Sequence, residues 1–354
     1  MKLFTIGPVQ MHPETLQARS RPIPYFRTAE FSRFTLEMDR KFKTVLGTAQ
    51  DNEVVYLTAS GSAAMEATVM NLFTWEDKLL IIDGGTFGSR FVKICQIHHI
   101  PHTPLHLDFG ETLTAAHLAP YEGQGYTGLL VNLDESSTGQ LYDIRMLHGF
   151  CERNGSLLVV DTITSFLCDE YRMDEFGADV SIVSSQKGLA LSPGLSLIAL
   201  NRRAKARSLE VGYESLYFSF RDYYSNMERG QMPYTPAIGI FMELDQMLDM
   251  LLAEGLDRHL AQVADNAAYF RSRLAEIGGR LPDYPVSNAI TPVILDKPIA
   301  KPLFEKLMER GYTVNPVGGA RADSMIRVAH VGDLHREDYD ELIDAIKAVR
   351  AEIG

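Results

Sequence analysis

Residues 179–200, DVSIVSSQKGLALSPGLSLIAL, narrow the possible folds of this chain more than any other stretch. An apolar run leads into Ser184-Ser185-Gln186-Lys187-Gly188, and a second run at 195–200 follows a Pro193-Gly194 turn. Short apolar runs bounded by turn residues read as buried strands. A lysine at the end of such a strand is expensive, because an ammonium without a partner resists burial. That expense has one use: desolvation lowers the lysine pKa and frees its amine as a nucleophile toward aldehydes. A lysine that snorkels out of a loop is the ordinary alternative. A second signal upstream argues against it. Residues 156–165, SLLVVDTITS, read as a buried strand ending in Asp161. A strand-end carboxylate and a strand-end lysine, one strand–loop–strand apart, can face the two ends of one flat cofactor.

Other strand ends carry the same kind of residue. Residues 54–57 form a short strand, and Ser60-Gly61-Ser62 then opens a helix running to about residue 72. Such a helix start presents free N–H groups and the positive end of the dipole, where phosphate binds. A plain N-cap at Ser60 or Ser62 is the bland reading. Phe87, in the loop GGTFG after the strand at 79–83, is a candidate to stack on a flat ring, or is ordinary core. The strand at 129–133 ends in Asp134-Glu135-Ser136-Ser137-Thr138-Gly139, whose hydroxyls can bond a phenolic oxygen or close a turn. Continuous apolar strands alternating with helices predict an α/β fold with a mainly parallel sheet covered on both faces. Ligands gather at the strand C-termini of such sheets. Ser60, Phe87, Ser136, Asp161 and Lys187 all follow strands, so one sheet edge collects five candidates.

Elsewhere, Phe31, Phe34, Met38, Phe42 and Val45 recur at helical spacing over 29–46, with Gly47 as the stop. The stretch MPYTP at 232–236 precedes a helix at 237–252 stopped by Gly255, and 257–278 predicts another. From residue 286 a smaller α/β unit follows: strand 289–295, helix 300–310, strands 312–316 and 324–329, helix 336–353. The expected division is a leading segment 1–15, a large domain 16–254 and a small C-terminal domain 255–354. Arg327 lies inside SMIRVAH, where its charge needs an anion from the protein or from a substrate. Arg27, Arg90, Arg229 and Arg321 are further cations near predicted site loops. His98, His99, His102 and His106 lack the spacing of a zinc motif and are interrupted by Pro101 and Pro104. They read as helix-end and loop histidines, and no metal is expected.

The formal net charge of −12 argues against a nucleic-acid partner. No apolar stretch is long enough to span a bilayer, and MKLFTIGPVQMHP is not a signal peptide. Cys95, Cys151 and Cys168 are too scattered for a disulfide framework, which makes a reduced, cytoplasmic location the default.

Taken in order, these residues resemble the class V aminotransferases, pyridoxal 5′-phosphate (PLP) enzymes of fold type I. Alanine/serine–glyoxylate and 2-aminoethylphosphonate–pyruvate transaminases are the nearest in kind. The resemblance covers nearly the whole chain: Gly7-Pro8, SGS at 60–62, ESSTG at 135–139, VVD at 159–161, SSQKG at 184–188, Thr235-Pro236 and Arg327. It implies that Lys187 holds PLP as a Schiff base and acts as general base, and that Asp161 pairs with the ring nitrogen. It also implies that Phe87 and Ile163 cover the ring faces and that Ser136 bonds its hydroxyl. Ser60, Gly61, Ser62 and Gln186, with Thr235 from a partner in a homodimer, would hold the phosphate. Arg327 would take the substrate carboxylate. Two positions depart from relatives: Met232 stands where some have tyrosine, and Phe26 where some have histidine. The expected activity is transfer of an amino group from a small donor to pyruvate or glyoxylate, with a PLP-dependent lyase as the alternative. A desulfurase would need a cysteine in the later chain, and none follows Cys168. A dehydrogenase would need a GxGxxG that neither glycine-bearing loop supplies.

Overall fold

Segments such as EVVYL, LLIID, LLVVD and SLIAL are apolar on both faces, and only a sheet covered on both sides buries them. The computed structural model, which describes residues 1–212 and 215–353, joins seven strands in one such sheet. Along the chain they are β1 (Glu53–Leu57), β2 (Leu79–Asp83), β3 (His102–His106), β4 (Gly128–Asn132), β5 (Leu157–Asp161), β6 (Val180–Ser184) and β7 (Ser196–Leu200). Their order across the sheet is β1-β7-β6-β5-β4-β2-β3. β7 is antiparallel to both neighbours, and every other pairing is parallel. The reversal follows from the β6–β7 connection, which turns back at Gly194 (φ +126°) and holds no crossover helix. Register aligns Asn132 with Asp161, Ser184 with Ser196, and Ser196 with Leu57. The C-terminal ends of β1, β4, β5 and β6 therefore share one edge.

Several expectations need correction. The histidine-rich stretch is not all loop: β3 contains Pro104, which an edge strand tolerates because only one side is paired. The single strand expected at 312–316 splits: Tyr312–Thr313 pairs with Lys2–Leu3, and Asn315–Pro316 pairs with Met325–Ala329. The helix expected over 257–278 ends at Ser272, and the short Leu274–Ile277 turn after it closes at Gly278 (φ +61°). The helix Ala29–Leu46 has the expected limits. Thr28 caps its first turn by accepting from the Phe31 amide, and Gly47 ends it in the left-handed region.

A four-stranded sheet, in the order Gly279–Arg280, Ile290–Leu295, Met325–Ala329, Asn315–Pro316, forms a second unit in the C-terminal part. Its core includes Phe270, Val293, Leu303, Ile326, Tyr339 and Ile343, and Phe4 joins it from the opposite end of the chain. Burying those side chains is worth roughly 1.5–3 kcal/mol each. The two sheets are tied by Asp169, whose carboxylate accepts from Ser287 Oγ (2.5 Å) and the Asn288 amide (2.8 Å).

Candidate active site

β6 ends three residues before Lys187, and the loop beyond it is tightly braced. The Ala190 amide donates to the Lys187 carbonyl, the Leu191 amide to Ser185, and Ser185 Oγ to the Ser192 carbonyl. Ala190 (φ +52°) and Leu167 (φ +63°) are non-glycine residues in the left-handed region, strain of the kind that collects at functional sites. A Cβ on Gly188 would sit 1.9 Å from the Phe166 carbonyl oxygen, so the residue after the lysine must be glycine. The Lys187 side chain is buried, and its Nζ donates to Thr164 Oγ1 at 3.0 Å. Burial pushes its pKa below the usual lysine value, opposed by the negative charges of Asp161 and Asp134. A depressed pKa leaves more of the amine neutral.

Asp161 closes β5 at the same edge. One oxygen accepts from the Ile163 amide (2.8 Å), the other from Asn132 Nδ2 (2.5 Å) on the neighbouring strand. Burial raises its carboxyl to about 6, and the Ile163 amide, Lys187 and Asn132 pull the other way. This acid suits a cationic partner, whose arrival would favour its charged form.

The helix Gly61–Leu72 begins beside them. Its N-cap Ser60 makes no side-chain capping bond; the Ala63 and Ala64 amides turn back to the Ser60 carbonyl, which leaves the amides of Gly61 and Ser62 as the free donors of the helix start. A Cβ on Gly61 would lie 2.5 Å from Ile163 Cδ1, so glycine keeps the cleft open there. Ser62 Oγ accepts from Arg90 (2.8 Å), whose guanidinium lies 4.7 Å from the Phe87 ring centroid. Lys187 Nζ is 5.3 Å from that centroid. Phe87 is placed by Glu135, a buried carboxylate that accepts from the amides of Phe87 and Gly88 and so caps the helix Gly88–Ile97.

A cavity of about 100 Å³ separates these groups. Ser60, Gly61, Ser62, Phe87, Ser136, Asp161, Ile163, Gln186 and Lys187 all line it. Arg327 does not line this space but meets its wall from the four-stranded sheet, donating to the carbonyl of Ser136, a lining residue, and to the Pro316 carbonyl (2.8 Å). Among the described residues no carboxylate forms an ion pair with it, and its Nε is buried without an acceptor. Thr235 does not join the cleft: it is exposed, while Met232 is buried in its own chain's core. Of the other cations, Arg90 lines the cleft. Arg27 holds the Gln231 side chain and the Met232 carbonyl, Arg229 bonds Asn226, and Arg321 packs 3.5 Å from the Phe109 ring centroid. The histidines are dispersed, with His98 on Glu66 and His102 on the Ile100 carbonyl.

Sequence reasoning missed Asn132, Asp134 and Thr164, which also line the cleft. Asn132 and Thr164 had a usable signal, since each lies at the end of a strand or within a few residues of one already flagged. Asp134 shares that strand-end position, but the turn-like run 134–139 hides its burial.

Residues 25–294 match the family described as aminotransferase class-V. A serine–glyoxylate aminotransferase of Hyphomicrobium methylovorum is 27% identical, over 94% of this chain and 85% of its own length. A 2-aminoethylphosphonate–pyruvate transaminase of Phocaeicola vulgatus is 27% identical, over 90% of this chain and 91% of its own. The solved aspartate aminotransferase of subgroup IV from Thermus thermophilus superimposes with a TM-score of 0.92 at 29% identity, covering 100% of both chains.

Proposed function

Because the chain belongs to the class V aminotransferases, we propose that it moves the amino group of a small donor to pyruvate or glyoxylate with PLP attached at Lys187. Donors of the alanine, serine or 2-aminoethylphosphonate type are the expected ones. The observation that carries this reading is a buried lysine amine and a buried, two-donor carboxylate across one cleft, with Arg327 above them lacking a carboxylate partner. The residues fit PLP on their own chemistry: Asp161 suits a protonated ring nitrogen, and the amides at the Gly61–Leu72 helix start suit a phosphate.

In this reading Phe87 and Ile163 would flank the ring, Ser136 would bond its hydroxyl, and Ser60, Gly61, Ser62 and Gln186 would hold the phosphate. Thr235, exposed and outside its own cleft, is brought by a second copy of the chain, which makes the working enzyme a homodimer. When bound, PLP supplies an electron sink for breaking a bond at the carbon that bears the substrate's amine. Asp161 holds the proton on the ring nitrogen. Thr164 Oγ1 accepts one Nζ–H of Lys187 and so holds the amine at the cleft wall. Lys187 would hold at Nζ the proton removed from the substrate. Arg327 orients the substrate carboxylate. We further infer a division into the leading segment, large domain and small domain, with Gly255 (φ +91°) at the junction between the helices Ile238–Glu254 and Leu256–Ser272. No described helix is long and apolar enough to cross a membrane, and we assign the enzyme to the cytoplasm.

The test is an absorbance spectrum of the PLP-loaded protein, titrated with single donors without acceptor: L-alanine, L-serine, L-aspartate, L-glutamate and 2-aminoethylphosphonate. The expected outcome is that one donor bleaches the yellow lysine-bound form and a keto acid restores it. A protein that stays colourless with added PLP would sink the reading. Arg327→Ala is expected to raise the KM for the keto acid by about 10- to 100-fold, the range for losing a charge-assisted hydrogen bond. PLP affinity should hardly change. Equal loss of both would mark Arg327 as structural.

A further inference from the structure

Asp134 lies two residues beyond the end of β4, is buried, and lines the cleft. Neither of its carboxylate oxygens has a hydrogen-bond partner among the described residues. Ser287, the hydroxyl that faces it, donates its one proton to Asp169 at 2.5 Å. A carboxylate left this way is among the most costly groups to bury as an anion and far cheaper as a neutral acid.

Its surroundings explain what the neutral form does. The cations facing it are Lys187, Arg327 and Arg271, and the acids are Glu135 and Asp169. Tyr142, Tyr284 and Cys168 also face it, and burial holds their protons in place. Burial is the main influence on Arg327, followed by the charge of Asp134 and then Glu135. Glu135 is already committed to the amides of Phe87, Gly88 and Ser137. Asp134 has no such commitment, so its protonation decides whether the guanidinium is compensated from inside the protein.

We propose that Asp134 is a positioning residue for the substrate carboxylate: as a neutral acid it leaves Arg327 uncompensated, so that an anion and the proton on Asp134 occupy the cleft together. This rests on the reading of Arg327 as the carboxylate's partner. Burial first, and then Asp169, hold the Asp134 proton well above the usual carboxylate range, with Lys187 opposing. Loss of that proton sets a negative charge beside the guanidinium and repels the incoming anion. By linkage, an anion on Arg327 makes the proton harder to remove.

Succinate, which has no amino or keto group to react, is titrated calorimetrically into PLP-loaded wild-type and Asp134→Asn protein from about pH 6 to about pH 10, a window above the ordinary carboxylate range. Taking the ratio of the two Kd values at each pH cancels titrations that are common to both proteins and independent of Asp134. The expected result is equal affinity at the acidic end and progressive loss in the wild type alone, about tenfold per pH unit once Asp134 ionises. A ratio that stays constant across the range overturns the role of Asp134, whichever protein binds more tightly. Asp134→Ser, neutral and smaller, is read the same way if the asparagine variant does not fold. Absence of binding to the wild type at every pH, with Arg327→Ala indistinguishable from it, overturns the reading of Arg327 and the proposal together.

Discussion

Lys187→Ala is expected to reduce transamination by about 10⁴-fold or more, because attachment of PLP and the general-base step, worth roughly 10²–10⁴ alone, both use this one amine. The fold should survive. Among the described residues the Lys187 side chain makes a single hydrogen bond, to Thr164, and its ammonium is buried at an energetic cost. Its folded pKa lies below the unfolded value, so the unfolded chain binds more protons in the window between them. Wild-type apoprotein should therefore gain stability as pH rises through that window, and the alanine variant should lack that slope. Single-turnover assays with each donor, paired with thermal unfolding across pH, check both halves. A variant retaining full transamination would remove Lys187 from the chemistry.

Asp161→Asn should divide stability from activity. Burial raises this carboxyl to about 6 from its usual 3.8. Between those values the folded protein holds more protons than the unfolded chain, so stability falls as pH rises through the window. At neutral pH the full penalty is present, about 3 kcal/mol at 1.36 kcal/mol per unit. An asparagine carries no such penalty. Its oxygen can keep the Ile163 amide, and Asn132, whose Oδ1 is now without a partner, can turn to accept from the new amide. The apoprotein variant should thus unfold at higher temperature at pH 7 and match the wild type near pH 4. Turnover should fall about a hundredfold or more, since a neutral amide cannot hold the ring nitrogen's proton against loss. Undiminished turnover would take Asp161 out of its assigned role.

How much of this was legible depended on how far a residue's fate is local. Lys187 and Asp161 stand out because each ends an apolar run, and the pattern that buries the run buries the charge. The helix Ala29–Leu46 could be bounded to the residue because its cap, stripe and stop all lie within it. The helix Arg202–Glu210, by contrast, buries only Ala204 and Ser208 and shows no apolar stripe. Its one local signal is Asn201, which caps it through the Ala204 amide at 2.9 Å. Pairing of Lys2–Leu3 with Tyr312–Thr313 joins the chain's two ends, which periodicity cannot reveal. Asp134 is the sharpest failure. Five of six residues in DESSTG suit a turn, and only the approach of Lys187, Asp169 and Arg327 from distant segments turns it into a buried acid.

Lys187 hangs from the seven-stranded sheet and Arg327 from the four-stranded one. In the proposed reading a donor held by both would be measured across a seam, as a caliper measures between two jaws. The jaw spacing is set by Asp169 on Ser287 and Asn288 and by Arg327 on Ser136, rather than by the lining of the cleft. Acceptance of longer or shorter donors can therefore drift through changes at that seam while every residue that touches the substrate stays the same.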